Sequence, residues 1–204
     1  MNDAAILGVY QAVVNCTRCP LHTLRGDGGH AVPAELGSAA DDLLLGFLAE
    51  APGAQENATG KPLVGPAGKM FGKLLAGGGV SRESVLLMNT VRCRPPHNAL
   101  SSHGYAIEAC NDWTIAEFKV YDPKVVVLMG KTAIMRVFPG ADIKVGEVRG
   151  SARSTGPEHQ YGARVWVPTY HPAALTRSHN AELIKLVSED IRLAATLLGE
   201  VNGE

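Results

Sequence analysis

The sequence has no apolar run near the roughly 20 residues that would span a bilayer, and its opening MNDAAILGVYQAVV carries Asp3 without the basic start of a signal peptide. Charge excess is absent too. The formal net charge is -1 and the pI about 6.7, far from the basic balance of proteins that coat DNA by electrostatics alone. Internal repeats and low-complexity linkers are missing, so one domain over residues 1–204 is the economical expectation. A soluble cytoplasmic monomer with no membrane partner is expected. The 46% hydrophobic and 19% charged content excludes a disordered chain and supplies a substantial core.

Four short apolar runs are present: LLLGFLA at 43–49, VLLMN at 85–89, VVVLMG at 125–130 and RVWVPTY at 164–170. Their length, Val and Leu content and Gly or Pro borders predict strands buried on both faces. A helix is predicted at the N-terminus, with Ala5, Ile6, Val9, Tyr10 and Val13 on one face. Further helices are predicted for AGKMFGKLLAG, AIEACNDWTIAEFKVY, KTAIMRVF and AELIKLVSEDIRLAATLL. Strand and helix alternate, which predicts an α/β fold with a parallel sheet between helical layers. Ligands of such folds sit beyond the carboxyl ends of the strands, so the loops at 49–65, 89–98 and 170–177 should converge.

The loop after the first run offers Glu50 and Glu56 with backbone donors at Gly53 and Gly60, a place to grip a flat polar ligand. The second loop, MNTVRCRPPHN, sets Asn89 at a strand end with Arg92 and Arg94 nearby. The third, VPTYHPAALTR, places His171 just past the last strand, before Pro172 and Arg177. Six basic residues (Lys61, Lys69, Lys73, Arg82, Arg92, Arg94) face one acid, Glu83, between Lys61 and Arg94; the reading on charge alone is a solvated face.

All four cysteines, Cys16, Cys19, Cys93 and Cys110, are poorly explained as disulfides in a reducing compartment. Four thiolates close a tetrahedral zinc shell or fill the corners of a four-iron cluster. One CxxC with two singles suits the larger cluster better, yet spacing leaves both open.

CTRCPL, AEAPGAQEN, TGKPLVGPAG, LMNTVRCRPPHN, the downstream Cys110 and YHPAALTR together resemble the family 4 uracil-DNA glycosylases, in the same order from about Cys16 to Arg177. The resemblance implies a three-layer α/β/α fold around a mainly parallel four-stranded sheet. It implies a 4Fe-4S cluster on Cys16, Cys19, Cys93 and Cys110, and excision of uracil from single- or double-stranded DNA. His171 would then donate a hydrogen bond to the departing base and Asn89 would read its Watson–Crick edge. Glu50, Ala51, Pro52 and Gly53 would hold base and water, with Glu50 and Glu56 as carboxylates for water positioning or cation stabilisation. Lys73, Arg94 and Arg177 are the expected phosphate contacts.

The sequence departs from that family at several positions. Ala51 stands where the best-known branch of the superfamily has a water-activating Asp, Asn57 where Asp is common, and Ala49 where the motif opens with Gly. Leu63 replaces the usual Phe that stacks on uracil. Base–aromatic stacking is worth about 1–3 kcal/mol, so this change is expected to weaken uracil binding by roughly five- to 150-fold. Alternatives are a weak or inactive glycosylase-fold module that recognises DNA, a glycosylase with altered base preference, or a zinc-stabilised hydrolase of nucleotides.

Overall fold

Along each apolar run, successive side chains leave the backbone on opposite faces, and both faces are buried. In the computed structural model Leu45, Phe47 and Ala49 point into one core while Leu44 and Leu48 point into another. Val125, Val127 and Met129 alternate with Val126 and Leu128 in the same way. The structure describes residues 2–26, 28–40, 44–140, 143–178 and 180–203, without the side chains at 177, 178 and 202.

The strands are β1 (Glu35–Leu36), β2 (Leu45–Ala49), β3 (Val85–Asn89), β4 (Val125–Met129), β5 (Arg153–Thr155) and β6 (Arg164–Thr169). The helices are α1 (Asp3–Val14), α2 (Leu21–Leu24), α3 (Ala54–Thr59), α4 (Pro66–Gly78), α5 (Tyr105–Ala109), α6 (Asn111–Tyr121), α7 (Lys131–Val137), α8 (Val145–Val148), α9 (Pro172–Ser178) and α10 (Ala181–Asn202). Sheet order is β1-β3-β2-β4-β6-β5. The inner strands β3, β2, β4 and β6 are parallel, and β1 and β5 flank them antiparallel.

The expected four-stranded sheet is therefore corrected to six strands. The two additions are short and polar (EL and RST), so no apolar run marks them. Leu43, at the head of the run at 43–49, lies outside the described residues. One core holds side chains from α4 and α10, including Phe71, Leu74, Leu75, Val187 and Ile191. The other holds Phe118 and Tyr121 of α6 and Ala133, Ile134 and Val137 of α7. The sheet thus lies between two helical layers. The helix predicted over residues 106–121 is divided at Cys110, which caps α5 and opens α6. Two stretches predicted as loops carry short helices, α3 and α9, behind Gly53 and His171.

Candidate active site

Parallel pairing brings the carboxyl ends of β2, β3 and β6 to one edge. Ala49 is in register with Asn89, and Met129 of β4 with Thr169. Beyond the pairing, Thr90 donates through both N–H and Oγ1 to Ala49 O at 2.8 Å, and Val91 N donates to Glu50 O at 2.9 Å. The loops after β2, β3 and β6 do converge, around a cavity of about 570 Å³ whose lining includes Glu50, Pro52, Leu63, Asn89 and His171. Ala51 and Gly53 line it as well.

Asn89 is only 4% exposed. Its Nδ2 is buried and has no hydrogen-bond partner among the described residues. A buried donor left without an acceptor costs about 1–3 kcal/mol, and native proteins retain few of them. An amide held in this state at a cavity wall is ready for a ligand acceptor.

His171 lies two residues beyond the end of β6. Its Nδ1 accepts from Ala173 N at 3.2 Å, which assigns the ring proton to Nε2 and makes that nitrogen a donor. The ring is positioned from behind. Gly130 has φ +89, and a Cβ there would lie 3.0 Å from His171 Cβ, so both conformation and space require glycine. Thr169 Oγ1 donates to Asp190 Oδ2 at 2.6 Å, and Arg149 Nε donates to the same carboxylate oxygen at 2.9 Å. Burial pushes the Asp190 carboxyl up, against the pull of Arg149 and Thr169. This network fixes the end of the strand that carries the imidazole.

The two glutamates differ. Glu50 is half-buried at the cavity, and its Oε2 accepts from Thr132 Oγ1 at 2.6 Å. Glu56 is buried, and its carboxylate accepts from Gly53 N at 3.1 Å, Val64 N at 2.9 Å and Gly65 N at 2.7 Å. Three backbone donors close the loop onto the N-terminal ends of α3 and α4. Thr132 was not singled out in the sequence; a lone Thr in a helix carries no signal of a contact 82 residues away.

Leu63 is 6% exposed and has φ +52, the left-handed region that costs a Cβ-bearing residue roughly 1–2 kcal/mol. Its carbonyl lies where a Cβ on Gly68 would stand, at 1.8 Å. Arg82 Nη1 donates to Leu63 O at 2.9 Å and Nη2 to Pro62 O at 2.8 Å.

A family model described as the uracil DNA glycosylase superfamily matches residues 37–192. The chain belongs to that superfamily. It is 34% identical over 190 residues to the Type-4 uracil-DNA glycosylase of Thermotoga maritima, with 93% of each chain covered. It is 35% identical over 185 residues to the Type-4 enzyme of Saccharolobus solfataricus, covering 88% of this chain and 80% of that one. A third relative, the Type-4 uracil-DNA glycosylase of Pyrobaculum aerophilum, is 33% identical over 177 residues, 83% of each. The resemblance to family 4 carried by the separated sequence motifs is borne out.

In this member of the superfamily Cys93 and Cys110 are buried and Cys16 and Cys19 half-buried, all as free thiols. Cys19 packs against the apolar cluster that holds Cys93 and Cys110. Burial pushes the Cys93 thiol up to about 12; Arg25 opposes this, and Cys110, Cys19 and Cys16 add to it. Trp113 Nε1 donates to Cys16 Sγ at 3.2 Å. Among the described residues, no three His, Cys, Asp or Glu side chains are grouped to hold a single metal ion.

The basic run at 61–94 is not one surface. Lys61, Lys69 and Lys73 are exposed, but Arg92 is 1% exposed and ion-paired to buried Glu117, with Thr90 O and Thr114 Oγ1 as further acceptors. Arg94 Nε donates to Asn98 Oδ1 at 2.8 Å, and Asn98 lines the cavity. Lys73 stands on α4, outside the cavity lining. The side chain of Arg177 lies outside the described residues. No described helix is long and apolar enough to cross a membrane.

Proposed function

We propose that this chain excises uracil from DNA by hydrolysing the N-glycosidic bond. The observation that carries the reading is the buried, unpartnered Asn89 amide in the same cavity wall system as the His171 Nε2 donor. A uracil inside a duplex is out of reach, so the nucleotide is flipped into the cavity at a cost of a few kcal/mol. Asn89 Nδ2 then donates to a uracil carbonyl, a contact that cytosine, with a donor amine on that edge, does not complete. As the bond breaks, negative charge grows on the base and positive charge on the sugar. His171 donates from Nε2 to the base oxygen and stabilises the leaving anion.

Residues Glu50 to Gly53 line the cavity that takes base and water, and Glu50 is the carboxylate that orients that water. Glu56 acts one step back. With three backbone donors on its oxygens it is a positioning residue that shapes the Gly53 and Gly65 turns. Lys73, Arg94 and Arg177 remain the proposed phosphate contacts.

The cysteines fit a four-iron four-sulfur cluster. Cys19 and Trp113 pack against the apolar cluster that holds Cys93 and Cys110, and Trp113 Nε1 donates to Cys16 Sγ, so the four cysteines share one region of the fold. When bound, the cluster supplies a covalent link between the end of α1, the loop after β3 and the α5–α6 junction. The reducing cytoplasm keeps the thiols available. Zinc on the same thiols is distinguished by colour: a brown protein absorbing near 400 nm excludes it as the sole metal.

The test is a uracil-containing oligonucleotide treated with protein and then alkali. A break at the uracil is expected; intact strand at stoichiometric protein refutes the reading. Leu63, in place of a stacking aromatic, favours one second reading, a module that binds uracil-containing DNA without cutting it. Retarded but intact strand is its signature.

A further inference from the structure

Leu63 is one of four non-glycine residues with positive φ among the described residues, and the other three are His97, Asn98 and Asp122. Those types tolerate the left-handed region through small or polar side chains, whereas a leucine gains nothing from it locally. Something outside the residue must hold it there.

Arg82 has the geometry to do so. In extended backbone, consecutive carbonyls point to opposite sides; a residue of helical type, of either hand, turns both to one side. The guanidinium fork meets that arrangement, one Nη on Pro62 O at 2.8 Å and the other on Leu63 O at 2.9 Å. Glu35 Oε1 of the edge strand β1 lies 3.7 Å from Arg82 Nη2 and steadies the fork. Gly68 leaves the room that the Leu63 carbonyl occupies. Arg82 and Pro62 line a second cavity of about 510 Å³, while Leu63 lines the cavity that holds Asn89 and His171 and belongs to the core cluster of Phe47 and Phe71. The peptide between residues 62 and 64 is thus the wall between two spaces, gripped from one and read from the other.

We propose that Arg82 is a positioning residue for base binding: by clamping two consecutive carbonyls it fixes Leu63 in the left-handed region and aims its side chain at the base. The inference rests on the uracil-excision reading. Arg82 touches no substrate, and it acts through an apolar contact that is alike in ground and transition states, so its loss appears in KM. Lysine does not replace it, because a single ammonium does not bridge both carbonyls in fork geometry.

The experiment compares Arg82→Met and Arg82→Lys in the natural chain and in Leu63→Gly, where glycine adopts the left-handed region unaided and has no side chain to aim. In the natural chain each substitution is expected to raise KM for a uracil oligonucleotide about tenfold, with kcat within roughly threefold. In the Leu63→Gly background the same substitutions change KM by less than about twofold. Equal effects in both backgrounds, or a loss in kcat alone, overturn the proposal. Thermal melting of the same proteins reads the clamp without activity: Arg82→Met lowers the melting temperature in the natural chain more than in Leu63→Gly. If the natural chain leaves the uracil strand intact, the excision reading fails, while equal melting losses in the two backgrounds defeat the clamp itself.

Discussion

Replacing Asn89 with leucine should make the protein more stable and less active at once. The Asn89 Nδ2 is buried without a partner among the described residues, a state that costs about 1–3 kcal/mol. Leucine is slightly larger, but the side chain borders a cavity of about 570 Å³, so the added volume has space and overpacking is avoided. Any bond made by the amide oxygen is lost, at about 0.5–1.5 kcal/mol. A net gain of roughly 0.5–1.5 kcal/mol remains. For a chain of this size each kcal/mol moves the melting temperature by about 2–4 °C, so a rise of roughly 1–6 °C is expected. Excision should fall at least about 100-fold in kcat/KM, because the base carbonyl then enters the site unpaired. Thermal melting and the alkali cleavage assay on the same preparation give both numbers. A variant that melts below the natural chain with unchanged cooperativity, or one that retains excision, refutes the argument.

Glu56→Gln keeps one acceptor oxygen and turns an amide N–H₂ toward a backbone donor, so stability should drop by about 2 kcal/mol in urea titration. Arg92→Met leaves Glu117 charged and buried, with an expected loss of about 3–5 kcal/mol; adding Glu117→Leu should recover part of it, less what Ala34 N–H loses with its acceptor, and equal losses for single and double variants would contradict the pairing. Because burial raises the Asp190 carboxyl, the folded chain holds that proton more tightly than the unfolded chain. The group then favours folding below the unfolded carboxyl range, and the contribution is lost as pH rises through the raised value. Asp190→Asn does not titrate, so the urea midpoint of the natural chain should gain on the variant as pH falls from neutrality through the carboxyl range; parallel curves would show that Arg149 cancels burial, and a natural chain that loses ground would show that Arg149 outweighs it.

The inner sheet was legible because its strands are apolar on both faces, and a continuous run of Val and Leu needs no partner to be recognised. The edge strands were not, since Glu35–Leu36 and Arg153–Thr155 owe their conformation to pairing with β3 and β6 rather than to their own residues. The break at Cys110 was hidden for a similar reason: AIEACNDWTIAEFKVY has helical spacing throughout, and nothing in its letters marks the cap. At the site, positions could be read and occupations could not. Glu50 and Glu56 look alike in the sequence, six residues apart, yet one meets a hydroxyl and the other three backbone amides. Arg92 and Arg94 differ as sharply, one sealed against Glu117 and one bonded to Asn98 of the cavity lining. Such differences depend on what the fold brings near, which is long-range information.

The ladder of β3, β2, β4 and β6 has a metric consequence. Three inter-strand spacings of about 4.8 Å set roughly 14 Å between the strand that ends in Asn89 and the strand that leads to His171. Hydrogen-bonded backbone makes that span a ruler that no single side-chain replacement resets. Evolution along this scaffold can therefore exchange the letters it accepts only by editing what projects from the ruler's ends. Leu63, on a turn held by Arg82 and in the lining of the same cavity, is one place for such an edit.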